Sequence, residues 1–102
     1  MLTVTFVLLA LLGGPVIERP ADFVDVMDVA SGVVVEQRYF GEDNFVGAKV
    51  DGYLAPKCLL ASKAAQALAK VQAALAKMKL RLRIYDCYRP QRAVNHFVRW
   101  AR

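Results

Sequence analysis

The middle of the chain carries a hydrophobic pattern with the period of an α-helix. In "ASKAAQALAKVQAALAKMK" an apolar residue recurs every three or four positions, and lysines repeat every seven residues on the opposite side. This spacing and the frequent alanine predict an amphipathic helix with Ser62 as its N-cap. The predicted buried stripe consists of Ala65, Leu68, Val71, Leu75 and Met78.

Alternating apolar and polar positions predict three strands around this helix. The segments "FVDVMDV" and "GVVVEQRYF" precede it, and the second is rich in β-branched and aromatic residues. After the helix, Leu80, Leu82 and Ile84 share one face of a third strand, and this apolar face ends at Asp86. The residues predicted on its other face are Arg81, Arg83, Tyr85 and Cys87.

A polar loop and a final helix complete the pattern. The loop "GEDNFVGAKVDGY" contains the glycine, asparagine and aspartate residues that turns favour, and we expect Phe45 and Tyr53 to anchor it to the core. Pro90 suits the first position of a helix. The sequence contains no capping residue for the end of this helix at Arg102. Its predicted buried face consists of Val94, Phe97, Val98 and Ala101.

Residues 1–19 form a separate region, an apolar run followed by a proline-containing linker. The run from Val4 to Leu12 has the length of a signal-peptide core and is too short to cross a membrane, so no stable membrane span is expected. No basic residue precedes the run. It is interpreted either as an export signal, uncleaved or degenerate, which would make the protein periplasmic or exported, or as a buried element or a mis-called start of a cytoplasmic protein.

The composition indicates one small globular domain whose two halves differ in charge. Of its 102 residues, 57% are hydrophobic and 23% are charged, which excludes a disordered chain. Residues 1–51 carry a net charge of −5 and residues 52–102 a net charge of +10. We interpret these as halves that complement each other, the alternative being a basic surface for an anionic partner. Because no aromatic residues accompany the helix lysines, we expect no nucleic-acid partner.

Cysteine and histidine give little support for a metal or redox site. Cys58 and Cys87 form no Cys-x-x-Cys pattern, so we expect buried free thiols, or a single disulfide if the protein is exported. His96 is the only histidine, and we expect it to face solvent between Arg92 and Arg99. These residues assemble no set of metal ligands and no Ser/His/Asp or Cys/His hydrolase arrangement.

Arg89 carries the strongest chemical signal in the sequence. It follows the third strand and precedes the final helix, and Pro90 restricts the backbone beside it. A guanidinium held rigidly at such a junction can donate two parallel hydrogen bonds to a carboxylate or an oxyanion. The local pattern alone slightly favours a simpler role, a surface arginine paired with Asp86.

The segments around this arginine resemble a known family. "YDCYRPQRAVNHFVRWA" and the upstream "RYFGEDNFVGAKVDGY" resemble the D-alanyl-D-alanine dipeptidases, VanX-type zinc peptidases that cleave the D-Ala-D-Ala dipeptide in cell-wall (peptidoglycan) precursor metabolism. The resemblance covers residues 33–102. It implies an α+β fold of the DD-peptidase/hedgehog type, with a small antiparallel sheet packed by helices. Residues 20–102 would be the N-terminal portion of this domain.

The resemblance also implies roles for individual residues. Arg89 would point into the active site and stabilise the tetrahedral intermediate. Tyr39, Tyr53 and Phe97 would line the pocket for a small D,D-dipeptide substrate. The other matching positions, which we expect to shape the loop and the turn, are Asn44, Phe45 and Asp86.

The sequence departs from the family at the zinc site. In the family, zinc is bound by a His and an Asp of a Ser-x-His-x-x-Gly-x-x-x-Asp segment and by the His of a Glu-x-x-His segment, whose Glu is the general base. Neither segment occurs in this sequence. We therefore expect a domain that is incomplete at its C-terminus, has no zinc ligands and is inactive unless a second polypeptide supplies them. The alternative is a non-catalytic remnant that binds D-Ala-D-Ala.

Overall fold

The computed structural model describes residues 19–102, so the predictions for the apolar N-terminal run lie outside the described residues. Helices and strands are mixed within this range, which confirms the α+β class. No helix among these residues is long and apolar enough to cross a membrane. The elements in chain order are β1 (Phe23–Asp25), β2 (Val34–Val35), β3 (Leu59–Ala61), α1 (Ser62–Ala76), β4 (Arg83–Ile84) and α2 (Gln91–Ala101).

The strands form two small sheets, where the resemblance implies one antiparallel sheet. Strand β1 pairs antiparallel with β3, whereas β2 pairs in parallel with β4. The strands are shorter than the alternating segments because the chain turns into 3-10 helices at Val26–Asp28 and Arg38–Phe40. The Asp25 carboxylate caps the first of these turns by accepting the Met27 N–H at 3.0 Å. Local capping thus ends a strand that alternation alone would continue.

Helix α1 buries a narrower stripe than the sequence predicts. Ala65 is fully buried and Leu68 packs against the core, as predicted. The pattern predicts Val71 and Met78 on the same stripe, but they are 49% and 62% exposed. The N-cap prediction is also wrong, because Ser62 is itself the first helical residue and none of the described side chains caps this end.

Gln72 is buried in place of its neighbour Val71, which the predicted stripe contains. Its carboxamide accepts the Leu82 N–H at 2.8 Å and donates to the Leu80 carbonyl at 3.3 Å. The side chain therefore satisfies two backbone groups at the start of the third predicted strand. Gln72 therefore faces the core, and Val71 beside it faces solvent.

The end of α1 is closed by a Schellman motif. The Lys79 N–H donates to the Ala76 carbonyl at 3.0 Å, and the Leu80 N–H donates to the Leu75 carbonyl at 3.0 Å. Lys79 has a φ of +59°, in the left-handed region that glycine usually occupies at this position.

Helix α2 packs through its first turn and through Phe97, and the rest of the predicted apolar face stays exposed. Pro90 is the N-cap, so the helix begins at Gln91, one residue later than predicted, and Ala93 is fully buried. Val94 and Val98 are 38% and 46% exposed and Ala101 is also exposed, so the predicted burial of these three residues is wrong. The cause is the close approach of Gly52, where an added Cβ would lie 3.0 Å from the Pro90 Cβ and 3.4 Å from the Ala93 nitrogen. The loop therefore covers the side of α2 that carries Ala93.

Cys58 and Cys87 form a disulfide, which corrects the expectation of free thiols. Their Cα atoms lie 5.2 Å apart. The Tyr88 N–H donates to the Leu59 carbonyl at 2.8 Å, and this hydrogen bond holds the turn after β4 against the start of β3. The disulfide thus connects the two sheets covalently.

The acidic and basic halves of the chain pair with each other across the fold, as their charges predict. Each of three ion pairs joins an acid of the first half to a base of the second half, and all lie near the surface. They are Lys57–Asp25 at 3.7 Å, Arg83–Glu36 at 2.8 Å and Arg99–Asp51 at 2.6 Å.

Candidate functional site

The four residues predicted to form the site lie together beside the turn between β4 and α2. One of them, Arg89, belongs to this turn. The guanidinium carbon of Arg89 lies 5.4 Å from the ring centre of Tyr39 and 5.1 Å from that of Phe97. Tyr39 stacks on Tyr53 with 5.6 Å between ring centres and meets Phe97 edge-on at 5.4 Å. Residues from a 3-10 turn, a loop, a strand–helix junction and a helix therefore form one cluster, which we call the Arg89 cluster.

Asp86 connects the polar atoms of the Arg89 cluster. Its Oδ2 accepts hydrogen bonds from Arg89 Nη2 at 2.8 Å and Arg89 Nε at 3.1 Å. Its Oδ1 accepts from the Tyr53 hydroxyl at 2.9 Å and from Gln37 Nε2 at 3.4 Å. The pairing of Arg89 with Asp86 that the local pattern favours is present, and it is compatible with the position of Arg89 among the aromatic rings.

The protonation states of the cluster follow from these contacts. Burial, reinforced by the hydrogen bond to Asp86, raises the pKa of the Tyr53 phenol well above its ordinary value. The hydrogen bond to Asp86 also raises the pKa of Arg89. Tyr53 is therefore a neutral hydrogen-bond donor and Arg89 a permanent cation.

Asn44 shapes the loop that carries Tyr53, as expected. Its Nδ2 donates to backbone carbonyls and its Oδ1 accepts backbone N–H groups, the arrangement that closes an Asx-type turn. These bonds reach Arg38, Gly41, Val46, Gly47 and Ala48 at 2.8 to 3.2 Å.

The two aromatic residues of the loop differ in burial. Tyr53 is 5% exposed and anchors the loop, as predicted, whereas Phe45 is 54% exposed. Phe45 still contacts Phe97 and Trp100, with ring centres at 4.9 and 5.2 Å. The Arg89 side chain is 44% exposed, so the described residues form one wall of an open site.

The described residues do not fit a zinc ion. Within residues 19–102, no three His, Cys, Asp or Glu side chains come together in a way that could hold a metal. The prediction that His96 faces solvent is wrong: its side chain is 21% exposed and its Nδ1 accepts the Asp51 N–H at 3.0 Å. Asp51 also binds Arg99, and both cysteine sulfurs are in the disulfide. His96 therefore anchors the loop to α2.

Gln37 belongs to the site but is absent from the predicted residues. It is 8% exposed and donates to the Lys57 carbonyl at 3.3 Å as well as to Asp86. The signal was the alternation of Val33, Val35 and Gln37, which places a glutamine on the buried face of the strand. A polar residue at a position where the alternation predicts a buried apolar side chain is a candidate for binding a buried polar group.

The segment that contains the Arg89 cluster is similar to known proteins. The family described as D-ala-D-ala dipeptidase (Peptidase_M15) matches residues 19–102. A D-alanyl-D-alanine dipeptidase of Streptomyces coelicolor is 39% identical over 80 residues, which cover 78% of this chain and 40% of that protein. Proteins of the same name from Enterococcus faecium and Enterococcus faecalis are each 35% identical over 79 residues, covering 78% of this chain and 39% of theirs. The chain spans about two fifths of the length of these relatives.

Proposed function

Because the chain belongs to the Peptidase_M15 family of D-Ala-D-Ala dipeptidases, we propose that residues 19–102 form the substrate-facing wall of a D-alanyl-D-alanine dipeptidase site. The reaction would be hydrolysis of the D-Ala-D-Ala dipeptide in peptidoglycan precursor metabolism. The observation that carries the proposal is the Arg89 cluster, in which Arg89 lies against Tyr39 and Phe97 within the matched segment.

In this proposal Arg89 stabilises the negative charge that develops on the scissile carbonyl oxygen. A guanidinium has five N–H donors, and Asp86 receives two of them. The others are shared between the Tyr53 hydroxyl, which also interacts with Arg89, and a ligand. A donor aimed at a developing oxyanion is commonly worth about 3 kcal/mol of transition-state stabilisation. The rings of Tyr39 and Phe97 would pack on the methyl groups of the dipeptide and exclude water from it. Tyr53 is 5% exposed, so it would line the pocket only indirectly, by supporting the ring of Tyr39 that stacks on it.

The proposal gives residues 19–102 no metal ligand and no general base. Zinc, which family membership implies, would polarise the scissile carbonyl and lower the pKa of its bound water. Its ligands are not among the described residues as the structure arranges them. The proposed contribution of this chain is therefore binding of the dipeptide and stabilisation of the oxyanion by Arg89.

The proposal is tested with the chain alone and with a chimera. The 102-residue chain with equimolar zinc is expected to release no D-alanine from D-Ala-D-Ala above a no-protein blank. In the chimera, residues 19–102 replace the corresponding segment of the Streptomyces coelicolor dipeptidase, which aligns with this chain over 80 residues. It should release D-alanine, and Arg89→Ala should lower kcat by roughly 10²- to 10³-fold.

The matched control is Arg81→Ala in the same chimera. Arg81 donates to the Gly32 carbonyl at 2.8 Å, so its removal deletes an equal charge outside the Arg89 cluster and should leave kcat unchanged. An active chimera in which Arg89→Ala is as fast as its parent would refute the role of Arg89. D-alanine release by the chain alone would refute the proposal that the zinc ligands and the general base lie outside residues 19–102.

A further inference from the structure

One carboxylate, that of Asp86, binds side chains from three separate segments. Arg89 belongs to the turn before α2, Tyr53 to the long loop, and Gln37 to the residues that follow β2. The two oxygens divide these partners, since Oδ2 receives both bonds from Arg89 and Oδ1 receives those from Tyr53 and Gln37. The Asp86 side chain is 18% exposed, so its partners replace most of its contact with water.

The backbone on both sides of Asp86 is fixed. The Tyr85 carbonyl accepts the Arg38 N–H at 3.3 Å, and the Tyr88 N–H donates to the Leu59 carbonyl at 2.8 Å. Cys87, which lies between these two bonds, is held by the disulfide. The carboxylate is therefore attached to a turn that cannot rotate away without breaking several bonds, which is the property a supporting residue of a site requires.

Asp86 occupies one edge of the Arg89 guanidinium and leaves the others available. It binds Nε and Nη2 through a single oxygen, so both Nη1 hydrogens and one Nη2 hydrogen are not bound to Asp86. The Tyr53 hydroxyl also interacts with the guanidinium, and the donors that it does not engage can reach a ligand. Tyr39 and Phe97 lie against the guanidinium and restrict its rotation further. The contacts of Asp86 thus determine where the remaining donors point.

From this geometry we propose that Asp86 is a positioning residue, which orients the free donors of Arg89 toward a bound dipeptide oxygen and holds the Tyr53 hydroxyl as a donor. Gln37 supports it by binding the same carboxylate and the Lys57 carbonyl. The inference rests on the proposed function, since it concerns the arginine assigned to substrate there. Asp86 acts through Arg89 and does not itself touch the substrate.

The test uses the full chain and Asp86→Asn, which keeps the size of the side chain and removes its charge. Without ligand, NMR of the Arg89 Nε–H should show exchange with water about tenfold faster in the variant, because a charge-assisted hydrogen bond is lost. With D-Ala-D-Ala, we expect a dissociation constant that is roughly millimolar for wild type and about tenfold higher for the variant. Asp86→Glu, which restores the carboxylate, should recover part of both effects.

Glu36→Gln is the matched control. It removes the same charge from a carboxylate that binds Arg83 at 2.8 Å, outside the Arg89 cluster, and should leave both measurements at the wild-type values. Urea unfolding of each variant establishes that it is folded. If Asp86→Asn does not fold, Asp86→Glu is compared with wild type instead. We then expect the Arg89 Nε–H to exchange with water somewhat faster in Asp86→Glu. An unchanged exchange rate would contradict the inference.

The inference and the proposed function fail in different measurements. Dipeptide binding by wild type with no change in Asp86→Asn overturns the inference alone. A wild-type chain that binds no dipeptide overturns the proposed function. In that case the exchange of the Arg89 Nε–H still decides whether Asp86 positions the arginine, because it is measured without ligand.

Discussion

At the scale of single residues, Tyr53 couples the candidate site to stability. Its hydroxyl is buried and donates to Asp86 at 2.9 Å, and the pKa of this phenol is raised in the folded protein. An unfolded chain releases the same proton near the ordinary value of about 10. Above that pH the folded state binds more protons than the unfolded state, so folding stability falls as pH rises. The contribution is fully present below pH of about 10.

We therefore predict that Tyr53→Phe removes part of the alkaline loss of stability. Near neutral pH the variant should be less stable by about 1 kcal/mol, because one buried hydrogen bond is lost. Between pH of about 10 and 12 the two stability curves should converge. Urea unfolding at a series of pH values measures both effects. A variant that loses stability as steeply as wild type over this range would contradict the assignment to Tyr53.

Single residues also show what can be predicted from the sequence. The ion pair of Asp86 with Arg89 could be predicted because the two residues lie three positions apart. Gln37 and Gln72 could be noticed as well, since each is a polar residue among the apolar residues of a predicted element. Each binds buried backbone groups. The contact of Arg89 with Tyr39 leaves no such signal, because side chains that meet from distant segments follow no local period. The family resemblance was needed to predict it.

At the scale of elements, helix α1 was predicted well and the strands were not. A helix of this length repeats its pattern several times, which makes its existence clear from the sequence. Strands of two or three residues contain at most one period of alternation. The sequence pattern therefore cannot distinguish a longer strand from a short strand followed by a 3-10 helix. Pairing partners were also not predictable, and β2 pairs in parallel with β4.

The end of α1 offers a direct test at this scale. Lys79 has a φ of +59°, a left-handed conformation in which side chains with a Cβ are strained by about 1 to 2 kcal/mol. Lys79→Gly should therefore stabilise the protein by about 0.5 to 1 kcal/mol after the added entropy of the unfolded chain is subtracted. Lys77→Gly, at a position with a helical φ of −64°, should destabilise it by a similar amount. Urea unfolding of both variants measures the difference, and equal signs would contradict the role of Lys79.

At the scale of the whole molecule, the disulfide holds together sheets that are each only two strands wide. Neither sheet is large enough to be stable by itself. Cys58 precedes β3 and Cys87 follows β4, so the bond unites the β1–β3 sheet with the β2–β4 sheet. The sequence could not show this, because cysteine spacing alone does not determine whether two thiols meet.

We predict that the double variant Cys58→Ala/Cys87→Ala is less stable than the oxidised wild type by about 3 to 4 kcal/mol. This value follows from the loop entropy of a cross-link between residues 29 positions apart. Urea unfolding with and without a reductant measures it. The variant serves as its own control, because a reductant should destabilise wild type and leave the variant unchanged. Equal stability of wild type in the two buffers would contradict the prediction.

The same bond makes a closed covalent ring of the segment between Cys58 and Cys87. Helix α1 and strand β4 lie inside this ring. A protease that cuts the backbone once within it, for example after one of the exposed lysines of α1, produces two fragments that the disulfide still joins into one molecule. The piece that carries Arg89 remains attached to the piece that carries Tyr39 until the sulfur–sulfur bond is reduced. Backbone cleavage in this segment is therefore visible on a gel only after reduction.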